Sequence, residues 1–279
     1  MANLDESFYK IQIKGSHNSY EDKKPSIVQQ LTFNPSDPAD NGCLCLEFDI
    51  WRHSSKYKPY VEIKEEYFTV SHATPGKTKL KHFLDRMKDW HNANPNHLPV
   101  VVYLDIKSIG GGYQRFHEEI DTYLQLYFGD DKIYNPGLLM PDKKAGLYDN
   151  VRVYGWKKIS EMTGKFLFCL SGNKGWKTRY SNTDPVERRC FSDCDIKDSG
   201  HSDEIPNIVI FNIKSGDAMK HTFDSLSGNN RLVRVYGAEK KNEWEVLRTL
   251  GYTIISTDEV NGTDWAKMSD SSPIKIRQS

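Results

Sequence analysis

Apolar and β-branched runs bounded by turn residues recur along the chain and predict eight strands. They are Lys10–Lys14, Cys43–Trp51, Tyr67–His72, Val100–Lys107, Lys165–Ser171, Ile208–Ile213, Leu232–Tyr236 and Thr253–Thr257. Val100-Val101-Val102-Tyr103-Leu104 is continuously apolar, as a parallel strand buried on both faces must be. Spacings of three and four predict helices between the strands. Leu80, Phe83, Leu84, Met87 and Trp90 define one over 78–94. Phe116, Ile120, Tyr123, Leu124 and Tyr127 define another over 113–128. A third, over 238–250, has Trp244, Leu247 and Leu250 on one face and Gly251 as its C-cap. A weaker one covers 217–226. Strands alternating with helices call for a parallel sheet. Eight of them in 279 residues, near the roughly 250 typical of a closed barrel, predict an α/β fold: a distorted (β/α)8 TIM-type barrel. No repeat, low-complexity stretch or linker interrupts it, so 1–279 is expected to be a single barrel domain. The polar segment 52–66 reads as a loop or hairpin over the active rim. Segments 134–155 and 174–206 read as long excursions, which in a compact domain are functional or mobile.

The first strand ends in Lys14-Gly15-Ser16-His17-Asn18-Ser19-Tyr20. Strand ends facing one rim are where barrel enzymes put their chemistry. Three later strands also end in polar groups: Glu47 with Asp49, then His72, then Asp105 with Lys107. Glu47 and Asp49 are two apart, so both carboxylates share one face of an otherwise apolar strand. Such a pair repels unless a cation, a partner or a proton intervenes; Arg52 or a lysine would be the structural answer. Asn18, Glu47, Asp49 and Asp105 make an all-oxygen set, which suits Ca2+ or Mg2+ over zinc. His17 and His72 flanking it would form an acid–base or charge-stabilising pair for phosphoryl transfer. Lys107 shares a face with Asp105 and could contact phosphate or balance the acids. Arg234 and Tyr236 alternate onto one face of the seventh predicted strand.

Composition narrows the partners. Lys and Arg balance Asp and Glu, 38 against 38, and the pI is about 7.1. No basic footprint argues for nucleic acid. Fifteen Tyr and six Trp suit a membrane interface or a sugar-like ligand. Of five cysteines, Cys43 and Cys45 share a strand face and read as small buried apolar residues; Cys190 and Cys194, four apart, could pair. The N-terminus has no basic region followed by an apolar core, so no signal peptide is visible. A secreted chain expressed without its leader and a cytoplasmic one are both consistent with this. No run is long and apolar enough to predict a membrane span.

Taken together, the motifs resemble a known family. Gly15-Ser16-His17-Asn18-Ser19-Tyr20 resembles the G-T-H-N-S-Y signature of phosphatidylinositol-specific phospholipase C. Leu46-Glu47-Phe48-Asp49-Ile50-Trp51 resembles its L-E-L-D-x-W. Val70-Ser71-His72 and the 100–105 strand are similar to its next two motifs, in the same order. Arg234-Val235-Tyr236 and Ile255-Ser256-Thr257-Asp258 match more loosely. The resemblance implies a barrel that cleaves phosphatidylinositol between glycerol and phosphate. Asn18, Glu47, Asp49 and Asp105 match the Ca2+ ligands of its calcium-dependent branch. It also implies catalytic roles for His17, His72 and Glu47, and substrate contacts for Arg234, Tyr236 and Lys107. The expected partner is phosphatidylinositol in a membrane, met peripherally by a monomer through rim aromatics such as Trp51, Tyr57, Tyr60, Trp176 and Tyr180. The signature threonine is Ser16 here. The lysines that polyphosphoinositide-preferring members carry on the fifth strand are absent from 166–171, which predicts a preference for the unphosphorylated headgroup. The rival readings are a glycerophosphodiester phosphodiesterase or sphingomyelinase D-like barrel, a non-catalytic phospholipid-binding barrel, and a carbohydrate-active barrel with two catalytic acids.

Overall fold

A computed structural model describes residues 4–37, 42–52, 68–108, 115–195, 207–228 and 230–277. Its strands are β1 (Ile11–Ser16), β2 (Cys45–Arg52), β3 (Phe68–Val70), β4 (Val100–Ser108), β5 (Phe166–Gly172), β6 (Cys190–Asp195), β7 (Ile210–Lys214), β8 (Leu232–Tyr236), β9 (Ile254–Thr257) and β10 (Ile274–Ile276). The α-helices among the described residues are α1 (Ile27–Leu31), α2 (Leu80–Ala93), α3 (Phe116–Phe128), α4 (Leu147–Tyr154), α5 (Lys174–Ser181), α6 (Ser215–Ala218), α7 (Phe223–Ser227) and α8 (Lys241–Leu250). Parallel pairing runs β1–β9–β8–β7–β6–β5–β4–β2 and returns to β1, so eight staves close a (β/α)8 barrel.

The closure is narrow, which is where the barrel is distorted. β1 and β2 share one registered pair, Gly15 with Cys45, reinforced by Leu44 N–H donating to Lys14 O at 2.9 Å. Gly15 allows this approach. A Cβ at that position would run into the Ser256 hydroxyl and lie 3.2 Å from Cys45 Cβ.

The eighth stave is not the one the sequence pattern indicates. Phe68–Val70 pairs antiparallel with the end of β2, Ile50 opposite Val70, so β3 is an added edge strand. The stave between β5 and β7 is β6, inside the segment read as an excursion. Cys190 and Cys194 both lie on β6 and are free, as are the other three cysteines. Four residues of extended chain span roughly 13 Å, well beyond disulfide reach.

The core lies inside the barrel and beneath the helices. α2 buries Leu80, Leu84, Met87 and Trp90, and α3 buries Phe116, Ile120, Tyr123 and Leu124. α8 ends at Gly251, whose φ of +84° is the left-handed cap conformation. At the end of β2, Arg52 is locked to the buried Glu119 of α3 by two hydrogen bonds, Nε to Oε2 at 3.0 Å and Nη2 to Oε1 at 2.8 Å.

At the end of α2, two buried histidines bond each other. His97 Nδ1 donates to Leu98 O at 2.6 Å, so its Nε2 accepts from His91 Nδ1 at 3.1 Å. A neutral His97 is required, because His⁺ offers only donors. Burial pushes both below the ordinary 6.5. The unfolded chain therefore takes up these protons at a higher pH than the folded one. Their contribution to stability is complete above about pH 6.5 and is lost as the pH falls through the lowered folded values. The unfolding midpoint is expected to drop between about pH 7 and 5, and the drop should shrink in His91→Gln. An identical pH profile for the two proteins would remove the pair as its cause.

Candidate active site

The polar strand ends meet at the C-terminal mouth of the barrel. A cavity of about 340 Å3 is lined there by His17, Asn18, Glu47, Asp49, His72 and Asp105, with further residues from β5 to β8 and α5. β2 and β4 run parallel with Asp49 directly opposite Asp105, and alternation puts Glu47 on the same face. Oxygens of Glu47, Asp49 and Asp105 all lie within 4.8 Å of one another. Oxygens on opposite sides of a calcium-sized ion are about 5 Å apart, so three carboxylates here can share one cation.

The cluster is short of positive charge. Lys107 Nζ sits between Asp49 and Asp105, at 3.1 and 3.2 Å. Tyr20 OH donates to Asp49 Oδ2 at 2.8 Å. Even so, burial raises the Asp49 carboxyl above its usual range. Burial pushes Asp105 up to about 6, helped by the neighbouring Asp49 and Glu47 and opposed by Lys107. Glu47 behaves differently. Burial works against its charge, but the Arg234 guanidinium, His17 and the Asn18 N–H together outweigh it and hold Glu47 below the ordinary value. Arg234 Nη2 reaches Glu47 Oε2 at 2.7 Å. A hard divalent cation on this all-oxygen donor set would relieve Asp49 and Asp105, so the residues present fit one.

Each histidine is held by a carboxylate. His17 follows β1, anchored by its N–H to Thr257 O at 3.0 Å. Asn18 takes a left-handed turn, φ 50°, and its backbone N–H donates to Glu47 Oε2 at 3.2 Å. Asn18 lines the same cavity. His17 Nδ1 lies 3.2 Å from Asp258 Oδ1. Asp258 also accepts from the buried Lys24 Nζ at 2.8 Å. Burial opposes its charge, but these two hydrogen bonds outweigh it and hold Asp258 far below the usual carboxylate range. An ionised carboxylate only accepts, so Nδ1 of His17 carries the proton and Nε2 is free for chemistry. His72 Nδ1 likewise lies 3.1 Å from Asp49 Oδ2, with the imidazole mostly exposed.

Three residues expected to touch substrate are already engaged. Lys107 balances two acids. Arg234 is fully buried: Nε donates to Ser256 Oγ at 3.0 Å, Nη1 to Asn212 Oδ1 at 3.3 Å, and its Cζ lies 4.3 Å from the Tyr103 ring centroid. Tyr236 is part-exposed, stacked on His17 with centroids 6.0 Å apart. Of the rim aromatics, Tyr57 and Tyr60 lie outside the described residues. Tyr180 is buried, donating to Asp121, so it is a core residue and no interface contact. Trp51 and Trp176 are part-exposed. Tyr20 lay within the signature run without a role, and sequence reasoning missed Lys24, Asn212, Glu239, Lys177 and Asp193. Nothing in their spacing marks them, since each reaches the site through an element whose place only the closed barrel sets. Asp258, at the end of a strand, carried the one usable signal.

A carboxylate cluster flanked by two carboxylate-held histidines thus lies at the mouth of a parallel barrel. Residues 70–203, just under half of the chain, match the family model described as phosphoinositide phospholipase C, Ca2+-dependent. Over those residues the chain is similar to that family. The matched span contains His72, Asp105 and Lys107, while His17, Asn18, Glu47 and Asp49 precede it. Among solved structures, the chain is similar to a Ca2+-dependent phosphatidylinositol-specific phospholipase C from Streptomyces antibioticus. The TM-score is 0.70 at 19% identity, covering 97% of this chain and 99% of that one. It is also similar to a calcium-dependent phosphoinositol-specific phospholipase C from a Pseudomonas species. There the TM-score is 0.74 at 16% identity, covering 98% and 96%. At these identities the likeness establishes the fold. No curated protein sequence matches the chain.

Proposed function

We propose that the chain, as one barrel domain, is a calcium-dependent phospholipase C. It cleaves phosphatidylinositol in a membrane to diacylglycerol and inositol 1,2-cyclic phosphate. The observation that carries this is the convergence of Glu47, Asp49 and Asp105 within 4.8 Å on a cavity that His17 and His72 also line. Asn18, Glu47, Asp49 and Asp105 would hold Ca2+. When bound, the ion supplies Lewis-acid stabilisation of the substrate's oxygens.

The chain's own residues carry the proton traffic. Glu47 is kept ionised by Arg234, so it can take the proton of the inositol 2-hydroxyl as that oxygen attacks phosphorus. His17 presents Nε2 to the cavity and, when protonated, donates to a phosphate oxygen as negative charge builds. His72, fixed by Asp49, gives a proton to the departing glycerol oxygen. Tyr236 offers a flat face to the sugar ring, and Arg234 acts from behind by fixing Glu47. Of the expected rim aromatics, the part-exposed Trp51 and Trp176 are candidates for contact with the membrane surface, and the enzyme is expected to work there as a monomer.

The test is release of water-soluble inositol phosphate from phosphatidylinositol vesicles. Activity is expected with Ca2+, lost on EGTA chelation and restored by excess Ca2+. Phosphatidylcholine and sphingomyelin vesicles are expected to release no headgroup. Chelator-insensitive release, or equal release from phosphatidylcholine, would overturn the proposal.

A further inference from the structure

One lysine lies against two of the acids that the proposed ion would use. Lys107 Nζ is 3.1 Å from Asp49 Oδ2 and 3.2 Å from Asp105 Oδ2. Oxygens of these two aspartates and of Glu47 lie within 4.8 Å of one another. Glu47 has a counter-ion of its own, since Arg234 Nη2 reaches it at 2.7 Å. Among the described residues, Lys107 is the one lysine or arginine paired with Asp49 or Asp105. Asp49 Oδ2 also accepts from Tyr20 OH at 2.8 Å, and His72 Nδ1 lies 3.1 Å from the same oxygen. A carboxylate has about four lone-pair sites on its two oxygens, so three donors crowd Oδ2 and one can leave without stranding it. Lys107 is the donor best able to do so. Its ammonium rides on a long flexible stem, and its side chain is 25% exposed.

We propose that Lys107 is a built-in competitor of Ca2+. Its ammonium and the ion claim the same two carboxylates, so the lysine sets the calcium concentration at which the site fills. The inference rests on the calcium-dependent reading of the site. The charge balance favours exchange over sharing. With Glu47 matched by Arg234, Asp49 and Asp105 present two negative charges, which one divalent ion offsets in full. An ammonium kept beside that ion would be surplus, and like charges a few ångströms apart repel strongly where water is scarce. Tyr20 brings no net charge to the same acid and meets no such conflict. Part of the ion's affinity therefore goes into turning Lys107 out, and the site binds more weakly than its acids alone would. The lysine has a use in return. Asp49 stands directly opposite Asp105 on neighbouring staves, and two carboxylates so placed repel without a cation between them. Lys107 holds them together until the ion takes over.

The experiment titrates Ca2+ into the lipid-free full chain by calorimetry, for the wild type, Lys107→Met, Lys107→Gln and Lys107→Arg. Removing the ammonium, in the Met and Gln variants, is expected to tighten Ca2+ binding by at least about tenfold. Lys107→Arg keeps a cation in place and should bind Ca2+ no more tightly than the wild type. Thermal midpoints give a second reading. In EGTA the Met variant should melt below the wild type, and saturating Ca2+ should raise its midpoint by more than it raises that of the wild type. A merely structural lysine would lower the midpoint without strengthening the ion site. Should Lys107→Met fail to fold, Lys107→Gln decides. Unchanged or weaker Ca2+ binding in the folded variants overturns this inference while leaving the lipase activity standing. Ca2+ binding by the wild type without cleavage of phosphatidylinositol sinks the phospholipase reading alone. No Ca2+ binding by any of the four proteins sinks both.

Discussion

Replacing His17 by alanine is expected to cut release of inositol phosphate from phosphatidylinositol vesicles by about 10³-fold, within the range for a positioned acid–base group. Stability and Ca2+ affinity should change little. The argument is one of placement. His17 leaves β1 at the barrel mouth, and its Nδ1 is spoken for by Asp258. Asp258 is in turn pinned by Lys24 Nζ and by Glu239, whose Oε2 accepts from the Asp258 N–H at 2.7 Å. Three charged side chains thus aim a single ring nitrogen at the cavity. The imidazole is itself partly exposed and supplies no oxygen to the acid cluster, so its loss leaves neither a buried void nor an incomplete ion site. Steady-state rates, thermal midpoints and calcium titrations of the variant separate these effects. Activity within about tenfold of wild type would end the assignment of His17 to the reaction.

The residues of the candidate site were more readable in the sequence than the frame that carries them. Glu47 and Asp49 are conspicuous because two acids on one face of an apolar strand require an explanation. His17 and Asp105 stand at ends of strands that hydrophobic runs reveal. β6 escaped notice because its sequence, Cys190-Phe191-Ser192-Asp193-Cys194-Asp195, is half polar. Ser192 and Asp193 are nonetheless buried, and Lys177 folds over from α5 to neutralise Asp193. Periodicity registers apolar burial and is blind to burial secured by an ion pair. β3 was misplaced for a different reason. Phe68-Thr69-Val70 looks like any strand, and alternation holds no information about whether the pairing is parallel or antiparallel. The engagement of Arg234 was out of reach as well. Its partners Glu47, Asn212 and Ser256 come from three other staves, and only closure of the barrel brings them together.

Glu47→Gln is expected to abolish turnover, by more than about 10³-fold, and also to destabilise the protein, which His17→Ala does not. Glutamine keeps the shape but removes a proposed metal ligand, the proposed proton acceptor and the countercharge of Arg234. That guanidinium is fully buried, and removing one partner of a buried ion pair costs about 3–5 kcal/mol. For a chain of this size that is a fall in thermal midpoint on the order of 5–9 °C. Arg234→Met alone should destabilise too, by stranding a buried carboxylate. The double variant Glu47→Gln/Arg234→Met removes both charges together. Replacing a whole buried pair by groups of similar volume is often close to neutral. The double variant should therefore be more stable than Glu47→Gln alone, while remaining inactive. Such non-additivity measures the coupling directly. If the two destabilisations simply add, Arg234 is not held by Glu47. The account of how this carboxylate stays ionised beneath the substrate then fails, however the activity responds.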